Sequence, residues 1–109
     1  MNLTITPGRL AGTVTPPPSK SQAHRCLIAA ALAGGGSEVR NLADSQDIEA
    51  TRRCLSELKT NSSALPHFDC GESGSTLRFL IPLALALRGG GVFTGRGRLM
   101  ERPQKPYFD

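Results

Sequence analysis

Aromatic side chains are scarce in this chain of 109 residues, which has no tryptophan, one tyrosine and four phenylalanines. Any core is therefore mainly aliphatic, and few aromatic rings are available for stacking on single-stranded nucleic acid. No five charges of one sign follow one another, which excludes a charged tail. The apolar runs are too short for a membrane span, and the N-terminus lacks the pattern of a secretion signal. We therefore expect a cytoplasmic protein.

Cysteine is also too sparse for a disulfide framework or a zinc site. The chain has three cysteines, an odd number, and no Cys-x-x-Cys pair. Cys26 and Cys54 lie among apolar residues of predicted helices, so we expect both in the core. Cys70 precedes a glycine-rich turn and is either a further small buried residue or a reactive thiol, although no base is evident beside it.

Positive charge is in moderate excess. Lys and Arg number 13 against 9 acidic residues, which gives a net charge of +4 and a pI near 9.4. Most of the cations are Arg, the side chain suited to bidentate contacts with carboxylates and phosphates. This balance is compatible with nucleic acid, anionic lipid or small acidic metabolites, and composition does not choose between them.

Strand and helix patterns alternate along the chain, which indicates an α/β fold. The second helix has the clearest signal, an apolar stripe that follows a cap at Asp44 or Ser45. That stripe consists of Ile48, Thr51, Leu55 and Leu58. The predicted strands are 2–6, 9–14, 37–42 and 92–95, the predicted helices are 21–33, 46–58 and 77–87, residues 59–70 are a loop, and a last helix begins near Pro103.

Two segments of the chain resemble each other. "SKSQAHRCLIAAALAGGG" begins at Ser19 and "SGSTLRFLIPLALALRGGG" begins at Ser73. Each has Ser-x-Ser, an arginine about one turn later, an apolar helix, three glycines and a predicted strand. This similarity predicts a duplicated β-α unit.

The beginning of the first predicted helix has the composition of an anion site. Free N–H groups and the helix dipole favour an anion there, and Lys20 precedes a predicted cap at Ser21. Arg25 follows four residues later, on the same face of the helix. The alternative is that Ser21 is an ordinary cap and that both cations are solvated. His24 has no partner in the sequence that would make a proton relay, so no catalytic role is predicted for it.

The third predicted helix repeats the arrangement in "GESGSTLR". Gly71 and Gly74 allow a close approach of a ligand to the backbone, and Ser75 or Thr76 is the expected cap. A basic loop follows, which is either a second half of the site or solvated surface, and it contains Arg96, Arg98 and Arg102. Together these features favour a small polyanion, such as a phosphorylated metabolite, over duplex DNA.

Four motifs in order, "PPSKSQAHR", "NLADSQDIEAT", "DCGESGSTLRF" and "FTGRGRLMERP", resemble the 5-enolpyruvylshikimate-3-phosphate (EPSP) synthase family, also called 3-phosphoshikimate 1-carboxyvinyltransferases. The resemblance covers nearly the whole chain, but the family is roughly four times longer. It implies an incomplete lobe of repeated β-α units, of the inside-out α/β barrel type. Residues 1–15 would be N-terminal strands that pack with the absent other lobe, and 16–109 would be part of a substrate-binding lobe.

The resemblance also implies a reaction and a set of site residues. The family transfers the enolpyruvyl group of phosphoenolpyruvate to the 5-hydroxyl of shikimate 3-phosphate, releases phosphate, and uses no metal or organic cofactor. Lys20 would be catalytic and would contact both substrates. Ser21 and Arg25 would bind shikimate 3-phosphate, while Gly74 and Arg102 would bind phosphoenolpyruvate. The expected partners are these two metabolites and the missing C-terminal part of the enzyme, with no nucleic acid and no membrane.

Some features differ from the family pattern. Glu72 stands where many members have asparagine, the segment 58–69 is about 20 residues shorter than in many members, and the family's acid/base carboxylates lie beyond residue 109. The isolated chain is therefore expected to have little or no turnover. A small non-catalytic phosphate- or RNA-binding module is the competing hypothesis, and a UDP-N-acetylglucosamine enolpyruvyl transferase is disfavoured by Ser19-Lys20-Ser21 in place of Ala-Lys-Asn.

Overall fold

The structure, a computed structural model, describes residues 1–105. Within this range the elements are α1 (Lys20–Leu32), α2 (Gln46–Leu58), β1 (His67–Asp69), α3 (Gly74–Arg88), β2 (Val92–Thr94) and a short 3-10 turn (Leu99–Glu101). The predicted α/β class is confirmed at this level, as a small unit of helices on one two-stranded sheet. No helix in residues 1–105 has the length and apolar character needed to cross a membrane.

The sheet is parallel and short. His67 lies opposite Val92, Phe68 opposite Phe93, and Asp69 opposite Thr94. The rings of Phe68 and Phe93 stack with their centroids 4.9 Å apart. Parallel strands need a crossover connection, and α3 is that crossover. The unit β1-α3-β2 is therefore the central feature of the fold.

The core lies between α2, α3 and the sheet. Phe68 and Leu80 are fully buried there, together with Cys54, Leu55, Leu58, Cys70, Leu77, Ala84 and Leu99. The predicted stripe of α2 is confirmed, because Ile48, Thr51, Leu55 and Leu58 are all buried. Its cap is Ser45, whose Oγ accepts a hydrogen bond from the Ile48 N–H at 3.2 Å.

Several predicted strands do not form in the described part of the chain. Residues 2–6 and 9–14 are exposed and form no strand, and neither does 37–42. A strand gains its stability from a hydrogen-bonded neighbour, and residues 1–105 provide none for these segments. The predicted strand at 92–95 forms as β2 because β1 lies beside it. The prediction of a loop at 59–70 is wrong for its last part, which contains β1.

Two further predictions concern Cys26 and the C-terminal helix. Cys26 is exposed, so the prediction that it lies in the core is wrong, whereas Cys54 is buried as expected. α1 turns Ala23 and His24 inward instead. The helix predicted from Pro103 lies largely outside the described residues, and only the 3-10 turn precedes it.

Candidate functional site

The beginning of α1 differs from the prediction in its cap. The cap is Ser19, whose Oγ accepts a hydrogen bond from the Gln22 N–H at 3.3 Å, because its extended backbone leaves its hydroxyl in reach of the first turn. Ser21 lies inside the helix with an exposed side chain. Its hydroxyl is therefore available to a ligand and is not used for capping.

Lys20 contacts the first turn of α2. Its Nζ lies 2.8 Å from Asp47 Oδ2, and 55% of the lysine side chain is exposed against 33% of the aspartate. A pair this exposed contributes at most about 1 kcal/mol to stability. Its importance is geometric, because it holds the ammonium group between the beginnings of α1 and α2.

Arg25 reaches from α1 towards α3. Its Nη1 donates to the Ser21 carbonyl at 3.3 Å, and its guanidinium carbon lies 5.7 Å from the centre of the Phe79 ring. This is a cation–π distance. The guanidinium is therefore positioned by both helices while the residue stays exposed.

The beginning of α3 again uses the first serine of its motif. Ser73 Oγ accepts from the Thr76 N–H at 3.1 Å, so the predicted caps Ser75 and Thr76 are wrong. Gly71 precedes the helix with φ +57°, a backbone conformation that glycine adopts at little cost. The glycine at this turn therefore has a conformational role.

Gly74 and Arg102, both predicted to bind one substrate, come together at this helix end. A Cβ atom added to Gly74 would lie 2.6 Å from Arg102 Nη1. The guanidinium thus occupies the space that the missing side chain leaves free. Lys20, the third residue predicted to bind the same substrate, lies on α1. It contacts Asp47 on α2, and α2 connects it with this helix end.

The remaining arginines of the basic loop differ in their surroundings. The Arg96 N–H donates to the Gly71 carbonyl at 2.7 Å, which fixes the loop against the glycine-rich turn. Arg98 is 93% exposed and lies 3.9 Å from Glu101, so the solvated alternative holds for it. Outside this loop, Arg78 on α3 is also exposed.

A cleft of about 430 Å³ lies between the first turn of α2 and the glycine-rich turn. Asp47, Glu72, Arg53 and Arg96 are among its lining residues. Its walls therefore carry both signs of charge. Glu72 crosses over Gly97, where an added Cβ atom would collide with its carboxylate. Within residues 1–105, no three side chains of the types that ligate metals come together.

A row of buried polar side chains beneath these helix ends was not predicted. His24 Nδ1 lies 2.7 Å from Thr51 Oγ1, Thr51 Oγ1 lies 2.7 Å from Thr76 Oγ1, and Thr76 Oγ1 lies 2.6 Å from Ser73 Oγ. We call these four residues the polar chain. It connects α1, α2 and the cap of α3. Polar residues within otherwise apolar helix faces, Thr51 above all, were the available signal.

Burial changes the acid–base properties of two groups. His24 is 1% exposed, and burial is the main reason that its pKa is lowered, with Lys20 and Arg25 acting in the same direction and Asp47 against them. The Cys70 thiol has a raised pKa because of its hydrogen bond with Cys54 and its burial. Thiolate formation at Cys70 is disfavoured, which argues against the reactive alternative.

The family is established by sequence comparison. The family model for EPSP synthase (3-phosphoshikimate 1-carboxyvinyltransferase) matches residues 5–109. The chain belongs to the EPSP synthase family. No solved structure matches it significantly.

Relatives of this family with curated names include proteins called 3-phosphoshikimate 1-carboxyvinyltransferase from three clostridia. The chain is 45% identical to that of Clostridium kluyveri over 98% of the chain and 29% of the relative. It is 43% identical to that of Clostridium beijerinckii over 98% of the chain and 30% of the relative. It is 38% identical to that of Clostridium novyi over 99% of the chain and 31% of the relative.

The chain therefore spans about three tenths of the length of the curated EPSP synthase relatives that it matches. The alignments run over 123, 130 and 133 positions, which exceeds the 109 residues of the chain. The relatives thus carry insertions that this chain lacks, in agreement with a segment shortened relative to many family members.

Proposed function

We propose that the chain forms the N-terminal part of an enzyme that transfers the enolpyruvyl group of phosphoenolpyruvate to the 5-hydroxyl of shikimate 3-phosphate and releases phosphate. Family membership supports this reaction, since the family model and the relatives carry that enzyme's name. The remainder of the enzyme supplies the other lobe and the acid/base carboxylates. The chain alone is expected to bind a substrate weakly and not to turn it over.

The beginning of α1 binds shikimate 3-phosphate in this proposal. Lys20 and Arg25 supply positive charge, and the exposed Ser21 hydroxyl supplies a donor one turn from the N-terminus of the helix. A phosphate held there also benefits from the positive end of the helix dipole. Lys20 must exchange part of its contact with Asp47 for the ligand, which an exposed pair permits at low cost.

The beginning of α3 binds phosphoenolpyruvate. The main support is the placement of the Arg102 guanidinium directly on Gly74, where any larger residue would displace it. An arginine at a helix N-terminus offers a fork of donors together with the dipole. Lys20, held by Asp47 between the helix beginnings, contacts both substrates and is the catalytic residue within this chain.

Preorganised cations explain how such a site accelerates the reaction. Addition to the enol ether passes through a species that carries several anionic groups, and fixed charges stabilise it without reorganising. Alignment of two bound substrates lowers the barrier further. Neither effect needs a metal or an organic cofactor, in accord with the expected chemistry of the family.

The wider architecture is part of the same proposal. Residues 16–109 belong to a substrate-binding lobe of β-α units of the inside-out barrel type, and 1–15 pack against the other lobe. The exposed state of Leu3, Ile5, Leu10 and Val14 in the described chain supports a partner surface for this segment. Because both substrates are metabolites, a cytoplasmic location is proposed as well.

A chimaera provides the test. Residues 1–109 replace the matching segment of the Clostridium kluyveri relative, and phosphate release is measured with both substrates. Lys20→Ala or Arg102→Ala is expected to lower kcat/KM by about 100-fold or more, with unchanged thermal unfolding. The matched control Arg98→Ala removes an exposed cation of the same loop and should retain activity within about twofold. An active chimaera that is indifferent to Lys20→Ala and Arg102→Ala would refute these roles.

Gly74→Ala addresses the phosphoenolpyruvate site separately. The added methyl group meets the end of a flexible side chain, so the fold tolerates it and the guanidinium moves. We expect KM for phosphoenolpyruvate to rise roughly tenfold, since a displacement near 1 Å is costly in an aligned site, while KM for shikimate 3-phosphate changes less. Equal rises of both KM values would contradict the assignment of Gly74 to one substrate.

The chain by itself tests the alternative of a phosphate- or RNA-binding module. Titration with shikimate 3-phosphate, followed by NMR, should shift the amides of Lys20, Ser21 and Arg25 at roughly millimolar concentration. Affinity for RNA that falls steeply with salt, without such shifts, would favour the module instead.

A further inference from the structure

The polar chain joins three helices through side chains that water does not reach. His24 and Ser73 are each 1% exposed, and Thr51 and Thr76 are 0% exposed. Its three contacts have oxygen–oxygen or nitrogen–oxygen distances between 2.6 and 2.7 Å, which are hydrogen-bonding distances for such groups. Buried hydrogen bonds such as these three favour one arrangement of the elements that they connect.

The direction of these hydrogen bonds follows from the single proton that each hydroxyl group can donate. The Thr76 hydroxyl donates towards Ser73 Oγ, with the Asp47 carbonyl at 3.4 Å as a secondary acceptor. Thr76 must then accept from the Thr51 hydroxyl, which in turn must accept from His24. The proton of a neutral His24 therefore lies on Nδ1.

In this order Nε2 of His24 carries no proton and has a free lone pair. The same atom is buried and has no hydrogen-bond partner among the described residues. The charged groups that act on the ring are Lys20 and Arg25 on α1 and Asp47 on α2, and none of them is a hydrogen-bond partner of Nε2. A second proton at Nε2 would be a buried charge without an acceptor, so the neutral ring is the stable form.

We propose that His24 is a positioning residue that holds the beginnings of α1 and α3 in a fixed relation through Thr51 and Thr76. The hydrogen bonds begin next to Lys20 and Arg25 and end at Ser73, the cap that precedes Gly74. Through them His24 sets the separation of the two substrate-binding helix ends, without contact to substrate. The functional part of this inference rests on the proposed function, whereas the proton order does not.

The proton order can be measured in the 109-residue chain labelled with 15N-histidine. The protonated and bare ring nitrogens have well separated 15N shifts, and the chain has two histidines, so His67→Gln assigns the signals. We expect the Nδ1–H form for His24 at pH 7.5, and Thr76→Val should weaken that preference. A dominant Nε2–H form in the wild-type chain would overturn the proposal.

The positioning role is tested in the chimaera with Thr51→Val, which removes the hydroxyl but keeps the shape of the side chain. Thr51→Ser retains the hydroxyl and is the matched control. We expect Thr51→Val to lower kcat about tenfold, because two aligned groups are displaced, with KM for each substrate changed by less than about threefold. Thr51→Ser should restore kcat to within about twofold of wild type.

A merely structural role gives a different pattern, in which Thr51→Val lowers the unfolding temperature and leaves kcat per folded molecule unchanged. That pattern would overturn the proposal. An inactive wild-type chimaera would count against the proposed function alone. In that case amide shifts in the isolated chain decide, because Thr51→Val is expected to move the amides at both Ser19–Ser21 and Ser73–Ser75, and a response limited to α2 would refute the coupling.

Discussion

The segments that begin at Ser19 and Ser73 share their local structure and differ in their surroundings. Each begins a helix with the first serine of Ser-x-Ser, whose Oγ accepts from the N–H three residues later. α3 is preceded by β1 and followed by β2, whereas α1 has no strand on either side within residues 1–105. The same local signal therefore produces one complete β-α-β unit and one helix without a sheet.

The two helices also bury different positions of the repeat. α3 buries Thr76, Leu77, Leu80 and Ala84, and α1 buries Ala23 and His24 with Leu27, Ile28 and Ala31 partly covered. Counted from the caps, the buried face of α1 is shifted by about one residue, which is a rotation of about 100°. Cys26 and Leu80 hold the same repeat position, yet Cys26 is exposed and Leu80 is 0% exposed.

This difference shows that the repeat preserves the helix beginning and not the packing face. The cap depends on residues within four positions of each other, so similar sequences give similar caps. The buried face depends on which neighbours are present. The rotation of α1 places His24 inward, where it reaches Thr51 on α2.

The largest effect that should separate the two helices comes from the position shared by Leu80 and Cys26. Leu80→Ala is expected to lower the free energy of unfolding by about 2–5 kcal/mol, because it leaves a cavity in the core. Cys26→Ala should change it by less than about 0.5 kcal/mol. Urea unfolding of both variants is the measurement. Similar losses for the two would mean that the helices bury the same face.

The ends of the two helices differ as well. Arg88 in the last turn of α3 donates to the carbonyls of Glu57, Leu58 and Thr60 at 3.3, 3.2 and 2.9 Å and to that of Ser62 at 2.9 Å, whereas α1 has no basic residue there. We expect Arg88→Ala to cost roughly 1.5–3 kcal/mol of unfolding free energy. Arg52→Ala, which removes an exposed cation of α2, is the control in the same urea measurement. A loss no greater than that of the control would show that these carbonyls do not need Arg88.

The caps give a smaller difference between the segments. Ser73 is buried and accepts from both the N–H and the hydroxyl of Thr76, while Ser19 is exposed. Ser73→Ala is expected to cost about 1–2 kcal/mol and Ser19→Ala about 0.5 kcal/mol. Ser75→Ala and Ser21→Ala are matched controls without a capping contact. If the second serine of either motif mattered more in thermal unfolding, the assigned cap would be wrong.

The smallest effect is a pH dependence of stability that comes from His24 on α1. Burial lowers the pKa of His24 below 6.5, so the unfolded chain binds more protons between the two pKa values. The free energy of unfolding is therefore expected to fall as the pH drops below about 6.5. Below the folded pKa, His24 should cause no further change of this free energy with pH.

His24→Gln should remove this part of the pH dependence between pH 5 and 7, and His67→Gln, at an exposed position, should retain it. Urea unfolding at several pH values checks both variants. The same slope in wild type and His24→Gln would show that His24 is not buried in a neutral form.

Much of the fold could be predicted from the sequence where the pattern is local or long. The stripe of α2 and the helix of α3 follow from periodicity, capping limited the start of α2 to Asp44 or Ser45, and the motifs identify the family. The caps were missed by two residues at Ser19 and by two or three at Ser73, because each segment offers several hydroxyl side chains and only backbone geometry chooses between them. β1 was missed because "HFD" is short and lies in a polar segment.

The site divides in the same way. Motifs and the family resemblance predict Lys20, Ser21, Arg25, Gly74 and Arg102 as site residues, since each belongs to a short conspicuous pattern, and their roles stay predictions. The contact of Lys20 with Asp47 and the two contacts of Thr51 in the polar chain join residues 25 to 27 positions apart, and no local pattern indicates such pairs.

By itself, the sequence determined where the helices begin and end to within a few residues, which chemical groups are available to bind anions, and the family. Those properties depend on interactions between residues that are near one another in the chain. Only the tertiary structure decided that α1 turns His24 inward and Cys26 outward, that "VFT" pairs with "HFD", and that Arg102 lies on Gly74. Packing made these choices, because the face that a helix buries and the partner that a strand finds depend on which surfaces distant parts of the chain present.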